Sequence, residues 1–167
     1  MEIRDLGEAK IALVEENIRR SGFSNVKARV FDALREDPDW KERADVVLAD
    51  LPCSGLGIIG RKPDIKYNMD EARLALLAAL QRDILSVVWQ YVKPGGTLVY
   101  STCTIDPQEN EENRAWFLRE YPFEPVDLRG RFGVEFGADT LENGYIQLLP
   151  SVHPGDGFFI SVFRRSE

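Results

Sequence analysis

The spacing of apolar positions changes several times along the chain, and each change marks a predicted element. From Gly7 onward, Ile11, Leu13, Val14 and Ile18 fall largely at helical spacing, Arg19-Arg20 suits the negative end of a helix dipole, and Gly22 stops the run. Residues 25–31 alternate through Val26, Ala28 and Val30 as a strand does, and end at Asp32. With Glu2-Ile3-Arg4-Asp5 in front, the pattern reads strand, helix, strand, with an aspartate at each strand end. Asp45-Val46-Val47-Leu48 predicts a buried strand. Residues 70–92 form the longest helical pattern, with Leu74, Leu77, Ala78, Ile84, Leu85, Val88 and Trp89 as its buried stripe, Gln81-Arg82 read as helical surface with the cleft as the alternative, and Pro94 as its stop. A Pro-Gly-Gly turn then opens the β-rich run Gly95-Gly96-Thr97-Leu98-Val99. Asp106-Pro107-Gln108-Glu109 starts a helix that runs through Trp116, Phe117 and Leu118. Residues 123–128, 145–149 and 157–163 read as strands, the last apolar enough to be buried on both faces. Helices alternating with strands predict an α/β fold.

The chemistry gathers at strand ends. Residues 49–57, Ala-Asp-Leu-Pro-Cys-Ser-Gly-Leu-Gly, place the carboxylate of Asp50 and the thiol of Cys53 at one strand exit. In open α/β sheets, ligands bind outside the carboxyl ends of the strands. The plainer reading of this stretch is a proline turn with a buried cysteine. Cys103, in Tyr100-Ser101-Thr102-Cys103-Thr104, ends a second strand. If the two strands are parallel neighbours, about 5 Å apart, both thiols face one cleft. The pair then reads as a structural accident, a disulfide, part of a metal site, or two halves of a thiol mechanism. Two cysteines, one histidine and no C-x-x-C spacing disfavour zinc, and no metal is expected. Asp5 suits the two vicinal hydroxyls of a ribose, and Asp32 an exocyclic amine such as that of adenine. For each aspartate the alternative is a cap or turn. No glycine-rich loop precedes Asp5, so the chain begins, in effect, at the second strand of a nucleotide-binding sheet. His153 reads as a loop residue.

Composition narrows the class. At 167 residues, 44% hydrophobic and 29% charged, the chain has the content of one globular domain with a core. No apolar run reaches membrane-spanning length and no signal-peptide pattern opens the chain, so a cytoplasmic protein with reduced thiols and no membrane contact is expected. A net charge of -7 opposes sequence-blind adhesion to nucleic acid. Local basic sites remain at Arg61, Lys62 and Lys66, and at Arg129 and Arg131, with a solvated loop as the alternative for each.

Taken together, the stretch Asp50-Leu-Pro-Cys53-Ser-Gly-Leu-Gly, Arg61-Lys-Pro-Asp64-Ile-Lys, residues 93–104 through Ser-Thr-Cys103-Thr, Glu109-Asn110-Glu111 and Gly155-Asp-Gly-Phe-Phe resemble the RNA cytosine-5 methyltransferase family. The likeness is strongest to the bacterial Sun-type enzymes that methylate 16S ribosomal RNA with S-adenosylmethionine. It implies a Rossmann-like, S-adenosylmethionine-dependent methyltransferase sheet acting on ribosomal RNA. Cys103 takes the role of the nucleophile that adds to carbon 6 of cytosine, and Cys53 that of the thiol that assists release. Asp50 is similar to the aspartate at the pyrimidine edge, and with Asp5 and Asp32 makes up the cofactor-side carboxylates. Arg61, Lys62 and Lys66 are the RNA-binding candidates.

The chain departs from that pattern by lacking the first strand and the glycine-rich loop. The expectation is a partial methyltransferase catalytic domain over residues 1–167. It would bind cofactor and RNA weakly, and its unpaired sheet edges would invite self-association. The competing reading is a catalytically incomplete fragment that serves as a binding or structural module. An amino-group methyltransferase is disfavoured by Leu51-Pro52-Cys53, and a redox dithiol protein by cysteines lying in distant motifs.

Overall fold

The computed structural model of the chain describes residues 1–133 and 136–167, which form two compact units, residues 1–38 and 39–167. The first unit is the anticipated strand, helix and strand. β1 (Glu2–Asp5) pairs in parallel with β2 (Lys27–Val30), and α1 (Glu8–Ser21) connects them. Gly22 ends α1 at φ 72°, with its N–H and that of Phe23 returning to the carbonyls of Arg19 and Ile18. That left-handed cap is why a glycine stands there. Of the expected stripe only Ile11 is buried, while Leu13 is exposed. Two residues turn a helix by about 200°, which puts Leu13 on the opposite side from Ile11. Asp37 is buried and takes ion pairs from Arg4 at 2.6 Å and Arg29 at 3.2 Å, while both guanidinium groups lie over the Phe31 ring.

The second unit is a mixed five-stranded sheet. β3 (Ala44–Asp50) runs parallel to β4 (Val92–Thr102), and β4 runs antiparallel to the final strand of the chain. Between them lie α2 (Glu71–Val88), α3 (Asn113–Glu120), β5 (Phe123–Pro125), α4 (Ala138–Glu142) and β6 (Tyr145–Leu148). The last strand, β7 (Phe158–Arg165), also carries β5 and β6, both antiparallel. Leu85, Leu98, Tyr100, Phe117, Phe159 and Phe163 form its fully buried centre, with Phe117 and Phe163 rings 4.9 Å apart.

α2 stops at Val88, short of the sequence expectation, and β4 begins at Val92. The residue before a proline is pushed out of helical geometry, so Lys93-Pro94 favours the extended chain. Residues 93–96 bulge opposite Asp45 alone, a place where a proline without an N–H is tolerated. In β7 burial alternates: Phe159, Ser161 and Phe163 are fully covered, while Phe158, Ile160 and Val162 are only partly so. Among the described residues β4 is the only strand paired to β3, and Val46 and Leu48 of β3 are 57% and 70% exposed. Among the described residues no helix is long and apolar enough to cross a membrane.

Candidate active site

The parallel pairing of β3 with β4 sets Asp50 opposite Ser101, whose hydroxyl donates to Asp50 Oδ1 at 3.0 Å. Cys53 lies just beyond one strand end and Cys103 follows the other directly, so the two thiols share one sheet edge. Their sulfurs are 3.3 Å apart, a hydrogen-bonding separation between free thiols. Burial pushes the Cys53 thiol up to about 12, and the hydrogen bond and charge of Cys103 add to the rise. Either thiol can donate across this contact.

Three segments distant in sequence are fastened together around this pair. The residues following the two cysteines are joined by the hydroxyls of Ser54 and Thr104, 2.7 Å apart. The Gly57 N–H donates to the Cys103 carbonyl at 3.1 Å, and the Gly157 N–H donates to the Gly57 carbonyl at 2.8 Å. A Cβ on Gly57 would overlap the Gly157 carbonyl, so glycine is the residue that this crossing admits.

Beneath the loop lies a buried polar layer. Glu109 and Asn110 come from a π turn, Gln108–Glu112, and Asn113 from the start of α3; Gln81 comes from α2, and all four are fully buried. Asn110 accepts from the Thr102 hydroxyl at 2.6 Å and donates to the Thr104 carbonyl at 3.1 Å, tying both sides of Cys103. Gln81, expected on the helix surface, is core. The signal for this was present: it lies three or four residues from Leu77, Ala78, Ile84 and Leu85, on the apolar stripe itself. Glu109 and Asn110 stood in a motif with no role attached.

The basic candidates are on the surface. Arg61 pairs with Asp156 at 2.9 Å, Lys62 is exposed, and Lys66 sits 4.8 Å from the centre of its neighbour Tyr67's ring. His153 accepts the Leu149 N–H through Nδ1 at 3.0 Å and stacks on Phe136, as a loop residue does. Within the first unit, Asp5 ends β1 and Asp32 follows β2. Asp5 accepts the Gly7 N–H at 2.8 Å and Asp32 the Leu34 N–H at 3.0 Å, each with one oxygen. Among the described residues no group of three or more His, Cys, Asp or Glu side chains is arranged to hold a metal ion.

Comparison with known proteins gives the family. The model of the family described as 16S rRNA methyltransferase RsmB/F matches residues 3–164. The probable ribosomal RNA small subunit methyltransferase B of Bacillus subtilis is 41% identical over 164 residues, covering 96% of this chain and 36% of that protein. Ribosomal RNA small subunit methyltransferase B of Klebsiella pneumoniae is 40% identical, covering 93% and 34%. The chain thus spans about a third of the length of these curated relatives. Among solved structures, NSun6 from Pyrococcus horikoshii with SFG superposes with a TM-score of 0.80 at 27% identity, covering 99% of this chain and 41% of that one. The N-methyltransferase NodS from Bradyrhizobium japonicum, at 13% identity, covering 99% and 73%, and a TM-score of 0.53, shares the fold alone. With a match along nearly its whole length and both cysteine motifs inside it, the chain belongs to the 16S rRNA methyltransferase RsmB/F family.

Proposed function

We propose that this chain carries the reacting groups of an enzyme that methylates carbon 5 of a cytosine in 16S ribosomal RNA, using S-adenosylmethionine, through a covalent Cys103 adduct. The observation that carries the reading is the 3.3 Å approach of the Cys53 and Cys103 sulfurs just past the strand ends, one of which carries Asp50. Two thiols so placed suit a reaction that first forms and later breaks a carbon–sulfur bond.

Carbon 5 of cytosine is a weak nucleophile. Addition of the Cys103 thiolate to carbon 6 makes a carbon–sulfur bond and drives the ring electrons toward nitrogen 3, which takes a proton and leaves an enamine reactive at carbon 5. Asp50 is the carboxylate at hand to hold that protonated edge. S-adenosylmethionine, when bound, supplies the electrophilic methyl group. Once carbon 5 carries the methyl group, loss of its proton to a base restores the ring double bond, breaks the carbon–sulfur bond and returns its electrons to Cys103, and nitrogen 3 gives back its proton. Cys53, with its sulfur 3.3 Å away, is placed to hydrogen-bond the Cys103 sulfur before addition and after release.

The carboxylates of the first unit fit part of that cofactor. Asp5 and Asp32 stand at the same ends of two parallel strands; besides one backbone N–H each, their second oxygens meet the exposed cations of Lys10 at 3.4 Å and Arg35 at 4.0 Å, and both carboxylates keep lone pairs to accept more. Asp5 would take the ribose hydroxyls and Asp32 the adenine amine. Lys62, Lys66 and Arg61 would meet RNA phosphates. Among the described residues β3 pairs with β4 alone, and its exposed Val46 and Leu48 support self-association of the chain, which sedimentation at rising concentration would test.

Trapping tests the reaction. RNA containing 5-fluorocytidine should form a persistent adduct in the presence of S-adenosylmethionine, because fluorine at carbon 5 does not leave as a proton does. The adduct should appear when this chain is spliced into a full-length relative, weaken or vanish in the chain alone, and be lost in Cys103→Ala. No adduct in the spliced protein, with both ligands bound, would sink the thiol mechanism and favour a binding module.

A further inference from the structure

Cys53 stands between two backbone groups that are each held from below. The Pro52 carbonyl before it accepts from Gln81 Nε2 at 2.9 Å, and the Ser54 N–H after it donates to Glu109, 3.0 Å from Oε2 and 3.3 Å from Oε1. The two holders are themselves joined, Gln81 Nε2 donating to Glu109 Oε2 at 2.7 Å. Both side chains are 0% exposed. We propose that Glu109 and Gln81 are positioning residues for the reaction, a clamp that holds Cys53 against Cys103. The role rests on the reading that the two thiols work together.

The hydrogen bonds explain why these residue types are needed. Gln81 Oε1 accepts from Asn113 Nδ2 at 2.8 Å and lies 3.1 Å from the Tyr100 hydroxyl, so its amide is fixed with the NH₂ toward Pro52 and Glu109. The Glu109 carbonyl in turn accepts from Tyr100, which anchors the π turn. Among the described residues, the hydrogen-bond donors facing the Glu109 carboxylate are N–H groups of Ser54 and Gln81 on both its oxygens. A carboxylate accepts at either oxygen, whereas an amide there would turn an NH₂ toward one of those donors. A buried carboxylate held only by amides carries a desolvation cost that an apolar side chain would avoid. Its return is the placement of Ser54, and through Ser54 the link to Thr104 beside Cys103.

The thiol–disulfide equilibrium reads this placement directly, without RNA or cofactor. The chain is equilibrated with glutathione, so that two protein thiols and one glutathione disulfide exchange for one Cys53–Cys103 disulfide and two glutathione thiols. The equilibrium constant gives the effective concentration of one thiol at the other. Glu109→Gln and Gln81→Met should each lower it about tenfold or more while the chain stays folded. Phe117→Leu, a core change outside the clamp, should leave it within about twofold despite lost stability. Where Glu109→Gln fails to fold, Gln81→Met carries the test. A wild-type chain that forms no disulfide, clamp variants indistinguishable from wild type, or an equal fall in Phe117→Leu would each overturn the clamp. Failure of 5-fluorocytidine trapping would count instead against the reaction, so the two readings fail separately.

Discussion

The Gly157 N–H donates to the Gly57 carbonyl at 2.8 Å, and a Cβ built on Gly57 would lie only 2.8 Å from the Cys103 carbonyl oxygen. Backbone therefore crosses backbone with no room for a side chain. Gly57→Ala is expected to destabilise the fold by about 1–3 kcal/mol and to part the two sulfurs. Urea unfolding measures the first effect and the glutathione equilibrium the second. Wild-type values in both would show that the segment carrying Gly157 moves aside freely.

Alkaline pH should act through Cys53. Its thiol is held at about 12 by burial, above the unfolded value near 8.5. A group raised in the folded state contributes stability that is present below the unfolded value and is lost as pH climbs through the folded one. The window is therefore about pH 8.5 to 12. Cys53→Ser, with no thiol to ionise, should show a shallower fall in urea midpoint across the accessible part of that window. Parallel declines for the two proteins would contradict the assignment.

In the first unit, Asp37→Asn should cost about 1.5–3 kcal/mol, because Arg4 and Arg29 both bond to that buried carboxylate. Hydrogen exchange should report the loss as faster exchange at the β1 and β2 amides. Unchanged protection there would show that the cation–π contacts to Phe31 suffice.

RNA binding offers a separate check on the surface cations. Lys62→Ala together with Lys66→Ala should reduce the slope of log affinity against log salt by about 1.4 for a single strand. Arg61→Ala should change it less, since Arg61 already pairs with Asp156 at 2.9 Å. Titrations at several salt concentrations decide this, and a slope untouched by the lysine pair would remove them from the interface.

Helix α1 between Gly7 and Gly22, the aspartates at the first two strand ends and the cysteines at two later ones were all legible in the sequence. Each rests on local features: a 3.6-residue period, an alternation or a turn residue. Burial of Gln81 was half legible, since a polar residue on an apolar stripe can be either a core hydrogen-bonder or an interruption. The early end of α2 was missed because the helical pattern runs on through a 3-10 turn, Trp89–Tyr91, and pairing of Val92 with Ala44 begins the strand there. Neighbouring positions on the chain thus determined which chemical groups this protein has and that strand ends carry them. Only the tertiary structure decided that Cys53 and Cys103, fifty residues apart, meet at 3.3 Å and that Glu109 and Gln81 lie beneath them. Strand order and buried hydrogen bonds depend on contacts between distant segments, which no local period encodes.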